Sequence, residues 1–318
     1  MKSWKPVIRP LTLVMAVFFV LALLPALSGC RDETPRAVVD FSKVKSTPRP
    51  DTNESSGHVL HVAVGAMVSP QETIVYYQQL LAYLGEKTGR SVVLTQKKSY
   101  AEVDRLLEHG EIDIAFVCSG PYAALSRETG VRLLAAPQIK GKTTYQAYLI
   151  VGRDSPYQSL EDLKGKVFAL TDPDSNSGRL VPMLWLADMG QRPESFFSQT
   201  IYTYSHDNSI RAVARGLVDG ASVDSLVWDY FASREPEISN HIRVIRVSEP
   251  FGIPPVVASG QLPKPLALAV QEALLGMHLD GQGANILNNL HIDRFVPAQP
   301  QWYDSVRDML AKLKQAAR

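Results

Sequence analysis

The sequence predicts an α/β chain folded as two lobes, on three observations. Strand-like and helix-like periods alternate between 59 and 117, and the alternation starts afresh after Gly152. In the second half, an apolar run, Val167-Phe168-Ala169-Leu170, leads directly into a polar turn and a helix start.

The chain opens with Lys2, Lys5 and Arg9, an apolar run over 11–24, and then Pro25-Ala26-Leu27-Ser28-Gly29-Cys30. The run is too short for a comfortable membrane span and ends in small residues rather than a basic flank, which marks an export signal. Leu27-Ser28-Gly29-Cys30 resembles the bacterial lipobox, which implies that 1–29 is removed and that Cys30 carries lipid at the new N-terminus. From 30 to 57 the chain is polar and holds Pro35, Pro48, Pro50, Asn53, Ser55 and Ser56, the composition of a flexible tether.

A formal net charge of +1, with no basic stripe interleaved with aromatics, gives no sign of nucleic-acid binding. Of the two cysteines, a lipidated Cys30 leaves Cys118 without a partner, so no disulfide framework or cysteine-based zinc site is expected. Cys118 follows Ile114-Ala115-Phe116-Val117 and reads as a buried thiol at a strand end. His58 and His61 are expected to lack carboxylate partners, so no metal and no cofactor is assigned.

In the first lobe, strands are expected over 59–64, 91–94 and 112–117, with helices over 73–88 and 100–109. Their β-α-β-α-β order argues a parallel sheet, whose ligands bind beyond the carboxyl ends of the strands. That places Ser69, Glu72 and Thr73 in one candidate loop, 65–73, and Ser119 and Gly120 in another, 118–122. A further strand over 145–151 ends at Asp154-Ser155-Pro156, with the lobe boundary near Gly152.

The second lobe then supplies a strand near 200–204, a helix over 209–216, a strand over 220–223 and one over 242–247 that leads back to the first lobe. Pro250-Phe251-Gly252-Ile253-Pro254-Pro255 reads as a crossover, followed by a strand at Val256-Val257-Ala258 and helices from Lys264 and Tyr303. Asp207 reads as a helix cap, Asp172 and Asp174 as turn residues facing solvent, and Tyr76, Tyr77, Trp228 and Tyr230 as packing.

In the turn itself, Thr171-Asp172-Pro173-Asp174-Ser175-Asn176-Ser177-Gly178, the unpaired N–H groups of a helix start are joined by two hydroxyls and an amide. The same residues serve equally as an ordinary capped helix or as a cradle for a small oxyanion.

Support for the cradle comes from a resemblance. Asp172-Pro173-Asp174-Ser175-Asn176-Ser177-Gly178-Arg179-Leu180-Val181-Pro182 is similar to the D-P-x-S-x-S-G-x-x-x-P turn of the phosphonate/phosphite/phosphate substrate-binding proteins of ABC transporters. Ser205-His206-Asp207-Asn208-Ser209, Gly216-Leu217-Val218-Asp219-Gly220-Ala221, Gly110-Glu111-Ile112-Asp113-Ile114-Ala115 and Leu149-Ile150-Val151-Gly152-Arg153-Asp154-Ser155-Pro156-Tyr157 match in order across 58–310. The resemblance implies the two-lobed periplasmic-binding-protein fold of type 2, with a hinge and an inter-lobe cleft. Its lobes would be 58–151 plus 251–318, and 152–250.

It also implies a ligand site. Ser175, Asn176, Ser177 and Gly178 would hold the oxyanion, His206 would donate to it, and Tyr145 would lie near the hinge. Apart from the resemblance, Asp224 follows the 220–223 strand, and as a buried carboxylate that can only accept it would favour a ligand that keeps a P–OH proton. Two departures stand out. The crossover Gly252-Ile253-Pro254-Pro255 lacks the family's amine-holding acid, which leans toward a small ligand without an amine. Val117-Cys118-Ser119-Gly120 replaces an aromatic, so Ser119 and the Gly120 backbone would rebuild that wall.

Ser177, His206 and Asp224 also form a triad-like set, but no G-x-S-x-G elbow is present, so the reading is binding rather than hydrolysis. The expectation is a monomeric lipoprotein in the periplasm or at the cell surface. It would hand a small phosphorus oxyanion to an ABC permease or, as the alternative, report it to a membrane sensor kinase.

Overall fold

The computed structural model describes residues 58–316 apart from 66, 68 and 126–128, with 70–76 as backbone only. The signal 1–29, Cys30 and the tether to 57 lie outside the described residues, as do the side chains of Glu72 and Thr73.

The chain runs β1 (Leu60–Val64), α1 (Pro70–Thr88), β2 (Val92–Thr95), α2 (Tyr100–Glu108), β3 (Ile114–Phe116), α3 (Ser119–Ala124), β4 (Arg132–Gln138), β5 (Thr144–Tyr145) and β6 (Ala147–Gly152). It continues with β7 (Val167–Leu170), a π turn (Asn176–Leu180), α4 (Val181–Asp188), α5 (Pro193–Phe196), β8 (Gln199–Tyr202), α6 (His206–Ala214), β9 (Gly220–Asp224), α7 (Ser225–Arg234), α8 (Pro236–Ser239) and β10 (Ile242–Val247). It closes with β11 (Phe251–Gly252), β12 (Val256–Ala258), α9 (Lys264–Gly276), α10 (Gly281–Asn289), β13 (Arg294–Val296) and α11 (Asp304–Ala316).

Two sheets result, in the orders β13-β4-β12-β3-β1-β2 and β10-β6-β9-β7-β8, and a short β5–β11 pair accompanies them. β1 pairs with β2 and β3 in parallel, as the β-α-β-α-β rhythm requires, and β7 pairs in parallel with β8 and β9. The first sheet buries Leu60, Val62 and Val64 against Leu80 and Leu84 of α1 and Val270 and Leu274 of α9. In the second, Ile150, Ala169, Ala221 and Val223 pack under Ile210 and Val213 of α6.

Three boundaries differ from the sequence expectation. The single strand over 145–151 is broken at Gln146: Tyr145 stays with the hinge pair, while Ala147–Gly152 crosses into the second sheet between β9 and β10. The boundary near Gly152 therefore falls too late for the sheets, which part at Gln146, because an apolar strand reads the same in either. β10 pairs with β6 in the second sheet, and from it the chain leads back through the crossover to β12 of the first sheet, as expected. α11 sets Val306 and Met309 into the cluster of Leu170, Val181 and Trp185, so the C-terminal helix packs on the second sheet's helical layer. The residues of α3 form a helix rather than an open loop, and β4 had no alternating signal to reveal it.

Two crossovers join the lobes. At the first, Gln146 donates from Nε2 to Ser248 O at 2.6 Å, and the Ala147 N–H donates to Ser248 Oγ at 2.8 Å. The second runs through β11, whose Phe251 and Gly252 pair with Tyr145 and Thr144. Pro250 to Pro255 is thus a crossover, as the sequence suggested.

The start of α3 lies against the polar turn after β7, and Gly120 makes that approach possible. A Cβ there would sit 2.2 Å from Asp174 O and 3.0 Å from Asn176 N. Both obstacles are backbone, so the turn itself would have to move. Gly120→Ala is expected to lower the melting temperature, with an overpacking cost of about 1–3 kcal/mol. Gly276→Ala at the end of α9, where nothing lies within 4 Å, serves as the neutral or stabilising control in the same thermal scan.

Candidate functional site

The turn after β7 is buried: Thr171, Asp172, Ser175, Asn176 and Ser177 are each 0 % exposed. Burial obliges every donor and acceptor to find a partner, so the ones that do not are informative. Ser175 Oγ accepts the Gly178 N–H at 3.0 Å, and Ser175 O accepts from Leu180 N at 2.9 Å across the π turn. Ser175 is thus the cap. Gly178 is required because a Cβ would lie 2.3 Å from Thr171 Oγ1. Ser177 places its carbonyl on Ser222 Oγ at 2.6 Å. Its own hydroxyl has no protein partner among the described residues.

Asp172 is buried, contrary to the solvent-facing role expected of it. Its carboxylate accepts the Asp174 N–H at 2.8 Å and, across the cleft, the Tyr100 N–H at 3.1 Å. A carboxylate can lie buried where backbone donors surround it. Asp174 does face solvent. Asp207 is not the cap of α6, a place held by Ser205; it accepts the Ser69 N–H at 2.8 Å, again across the cleft.

His206 is fixed in one tautomer by its neighbours. The Asp224 N–H donates to Nδ1 at 3.1 Å, and Thr171 Oγ1 lies 3.2 Å from the same nitrogen. Nδ1 is therefore the acceptor, and in the neutral ring Nε2 carries the proton. Burial pushes the His206 pKa down to about 3, which keeps the ring neutral. Nε2–H, fully buried, finds no acceptor among the described residues.

Asp224 caps α7, its Oδ1 accepting from Leu226 N at 2.7 Å and Val227 N at 3.3 Å. Burial, helped by the charge of Asp229, pushes its pKa up to about 7 against these bonds. Below about pH 7 it carries a proton and can donate. Tyr145 OH accepts from Asn176 Nδ2 at 2.9 Å, leaving Asn176 Oδ1 unpartnered. A half-turn of that amide would let Oδ1 accept from Tyr145 and free the NH₂ for a ligand.

The expected first-lobe contacts are largely committed elsewhere. Ser119 Oγ donates to Gly252 O at 2.6 Å, tying α3 to the hinge strand. The Asn176 and Gly120 N–H groups donate to the sulfur of Cys118, whose thiol is pushed up to about 11 by burial. His58 does have a carboxylate partner, Asp113 at 2.8 Å, but no cluster of three metal-binding side chains occurs among the described residues.

One residue of the site was missed. Tyr100 opens α2, is 1 % exposed, and has a hydroxyl with no partner among the described residues. Burial, with Cys118, Asp172, Asp224 and Tyr145 nearby, drives its pKa well up, so the phenol stays a donor. In the sequence it is merely the first apolar residue of an amphipathic helix; only the fold brings it to a turn more than 70 positions away.

Beside these groups, a cavity of about 290 Å³ runs between the lobes, lined in part by Gly65, Met67, Tyr77, Phe116, Asp224 and Leu226. Tyr77 and Tyr230 line it, so they are not packing alone.

Residues 62–303 match the model of the ABC-transporter phosphonate periplasmic substrate-binding protein family. The chain belongs to that family. It is 27 % identical over 193 residues to the phosphate-import protein PhnD of Mycolicibacterium smegmatis, covering 57 % of this chain and 60 % of that one. It is also 27 % identical over 197 residues to the phosphonates-binding periplasmic protein of Escherichia coli, covering 60 % and 58 %. The chain thus spans about three-fifths of the length of these relatives. A crystal structure of a binding protein component of an ABC phosphonate transporter from Pseudomonas aeruginosa superposes with a TM-score of 0.77 at 22 % identity, covering 81 % of this chain and 87 % of that one. This likeness shows the fold, two-lobed as the sequence implied.

The two buried titrating groups give family-member stability a defined pH dependence. Folded Asp224 keeps its proton up to about pH 7 while the unfolded carboxyl loses it near 3.8, so its contribution falls as pH rises through that window. His206 has the opposite sign from about 3 to 6.5, because the unfolded ring takes up a proton that the folded one refuses. In urea titrations of the ligand-free protein between pH 4.5 and 7.5, the stability of wild type relative to Asp224→Asn should fall with rising pH by up to roughly 1.4 kcal/mol per unit. A flat difference would show that Asp224 is already ionised in the fold.

Proposed function

We propose that this chain is an extracytoplasmic binding lipoprotein that captures a phosphorus oxyanion between its lobes and delivers it to an ABC importer. The observation that carries the reading is the set of buried donors with no acceptor among the described residues: Ser177 Oγ, His206 Nε2 and Tyr100 OH. An unmet buried donor costs about 1–3 kcal/mol, and a tetrahedral anion meets several at once. Asn176, through its amide, and Asp224, through its proton, extend the donor set, while Ser175, Gly178, Tyr145, Ser119 and Gly120 hold the turn in place. Ser69 brings its backbone to Asp207 of the facing lobe.

The donors are neutral, so their attraction for charge comes from oriented dipoles and the helix start rather than from a cation. Bonds from the Tyr100 and Ser69 backbone N–H groups to Asp172 and Asp207 hold the lobes together around the site. Release therefore calls for these bonds to break, which fits hinge opening at Gln146 and Ser248. Lipid on Cys30 would keep the receptor near its permease.

Binding is tested by calorimetry with phosphate, phosphite, methylphosphonate and sulfate. Ser177→Ala and Tyr100→Phe should each weaken the preferred phosphorus ligand roughly ten- to hundredfold, the worth of one hydrogen bond to a charged group. Affinity for the preferred phosphorus ligand should fall as pH rises through about 7, where Asp224 loses the proton it donates, and Asp224→Asn, whose amide still donates, should remove that fall. Binding of sulfate as tight as that of every phosphorus ligand would sink the reading.

A further inference from the structure

The cavity beside the cradle says what else the ligand carries. Its volume, about 290 Å³, matches roughly ten water-sized groups and approaches the lower end of ordinary small-molecule sites. A phosphate, a phosphite or a methylphosphonate needs no such space.

The cavity adjoins the cradle. Asp224 belongs to both, and Met67 packs on Tyr100 and Cys118. Gly65, also in its wall, lies close to the Tyr100 ring, which a Cβ there would meet at 3.7 Å. Leading outward, the walls are apolar: Phe116, Ile139, Leu226, Pro254 and Leu290 line it, with the Tyr77 ring edge-on to Phe116 at a centroid distance of 5.1 Å. The crossover carboxylate absent from the sequence is replaced here by Ile253, Pro254 and Pro255, all in the wall.

The charged lining groups Lys140 and Asp229 are paired with each other at 2.8 Å. Asp229 is thereby already engaged by a cation, and Asp224 lies at the cradle. A ligand ammonium group would gain little from this wall.

We propose that the ligand is a phosphorus oxyanion bearing an apolar substituent of several carbons, an alkyl or aryl group that lodges in this groove while the anionic head sits in the cradle. The inference rests on the oxyanion reading above and corrects the expectation of a small ligand. Affinity and class then come from different walls: the head is held by buried donors, and the tail is selected by area removed from water.

The test is isothermal titration of the full chain with methyl-, propyl-, hexyl- and phenylphosphonate, aminoethylphosphonate, phenyl phosphate and hexanesulfonate. Affinity should rise by up to about fourfold for each methylene buried, and aminoethylphosphonate should bind no better than methylphosphonate. Phenylphosphonate against phenyl phosphate decides whether the substituent joins phosphorus through carbon or through oxygen; tight binding of either supports the proposal.

Ile139→Trp, which fills the groove, and Ile139→Asp, which charges it, should weaken hexyl- and phenylphosphonate at least tenfold and leave methylphosphonate unchanged. Retained methylphosphonate binding also shows that each variant is folded. If methylphosphonate binds and longer chains bind no tighter, the groove proposal is overturned while the oxyanion reading stands. Hexanesulfonate binding with no phosphonate binding would overturn the phosphorus reading and support the apolar groove. If none of the ligands binds, both fall.

Discussion

A polar turn that is wholly buried must account for each of its hydrogen-bonding groups, and the arrangement of this molecule follows from how that demand is met. Thr171 to Gly178 carries more donors and acceptors than its own backbone can pair. Asp172 takes a backbone N–H from α2, Ser177 O takes the hydroxyl of Ser222 on β9, and Asn176 gives an N–H to Tyr145 in the hinge. Each of these bonds fixes the turn to a different part of the chain. The few groups left over are then held where their neighbours put them, which is the preorganisation that a binding site requires.

The same logic fixes protonation. His206 could present either ring nitrogen, but the Asp224 N–H removes the choice by taking Nδ1, and burial removes the charge. Asp224, whose backbone does this, is itself kept protonated up to about pH 7 by the burial it shares. A neutral imidazole donor and a protonated carboxyl beside each other suit a ligand that brings its own negative charge. Two ionised groups would cost far more to bury before the ligand arrived.

On the reading proposed above, cradle and groove divide the work of recognition. Hydrogen bonds to the head are directional and discriminate strongly, because a ligand that leaves a buried donor unmet incurs its desolvation cost. Apolar contact with the tail discriminates weakly, in proportion to area. Ile253, Pro254 and Pro255 line the cavity and bring no charge to it, so on the proposal above they bear on the tail and leave the head to the cradle.

Much of this was legible in the residues themselves. The periodicities of β1, α1, β2, α2 and β3 follow from which side chains must face a core, and the Ser175 to Gly178 turn announces itself through residues that cap helices. That His206 and Asp224 would lie near the turn was legible from their places at a helix start and a strand end, and the structure does bring the two together. Tyr100, the committed bonds of Ser119 and Cys118, the burial of Asp172 and the sheet to which Ala147–Gly152 belongs were not. Each depends on contacts between residues far apart in the chain, and an apolar strand or an amphipathic helix carries no mark of its partner. Local sequence determined which elements form and where a charged ligand has donors; only the tertiary structure decided which of those donors remain unpaired and how large a tail the space beside them admits. Pairing and volume are properties of surfaces brought together, and no single segment contains them.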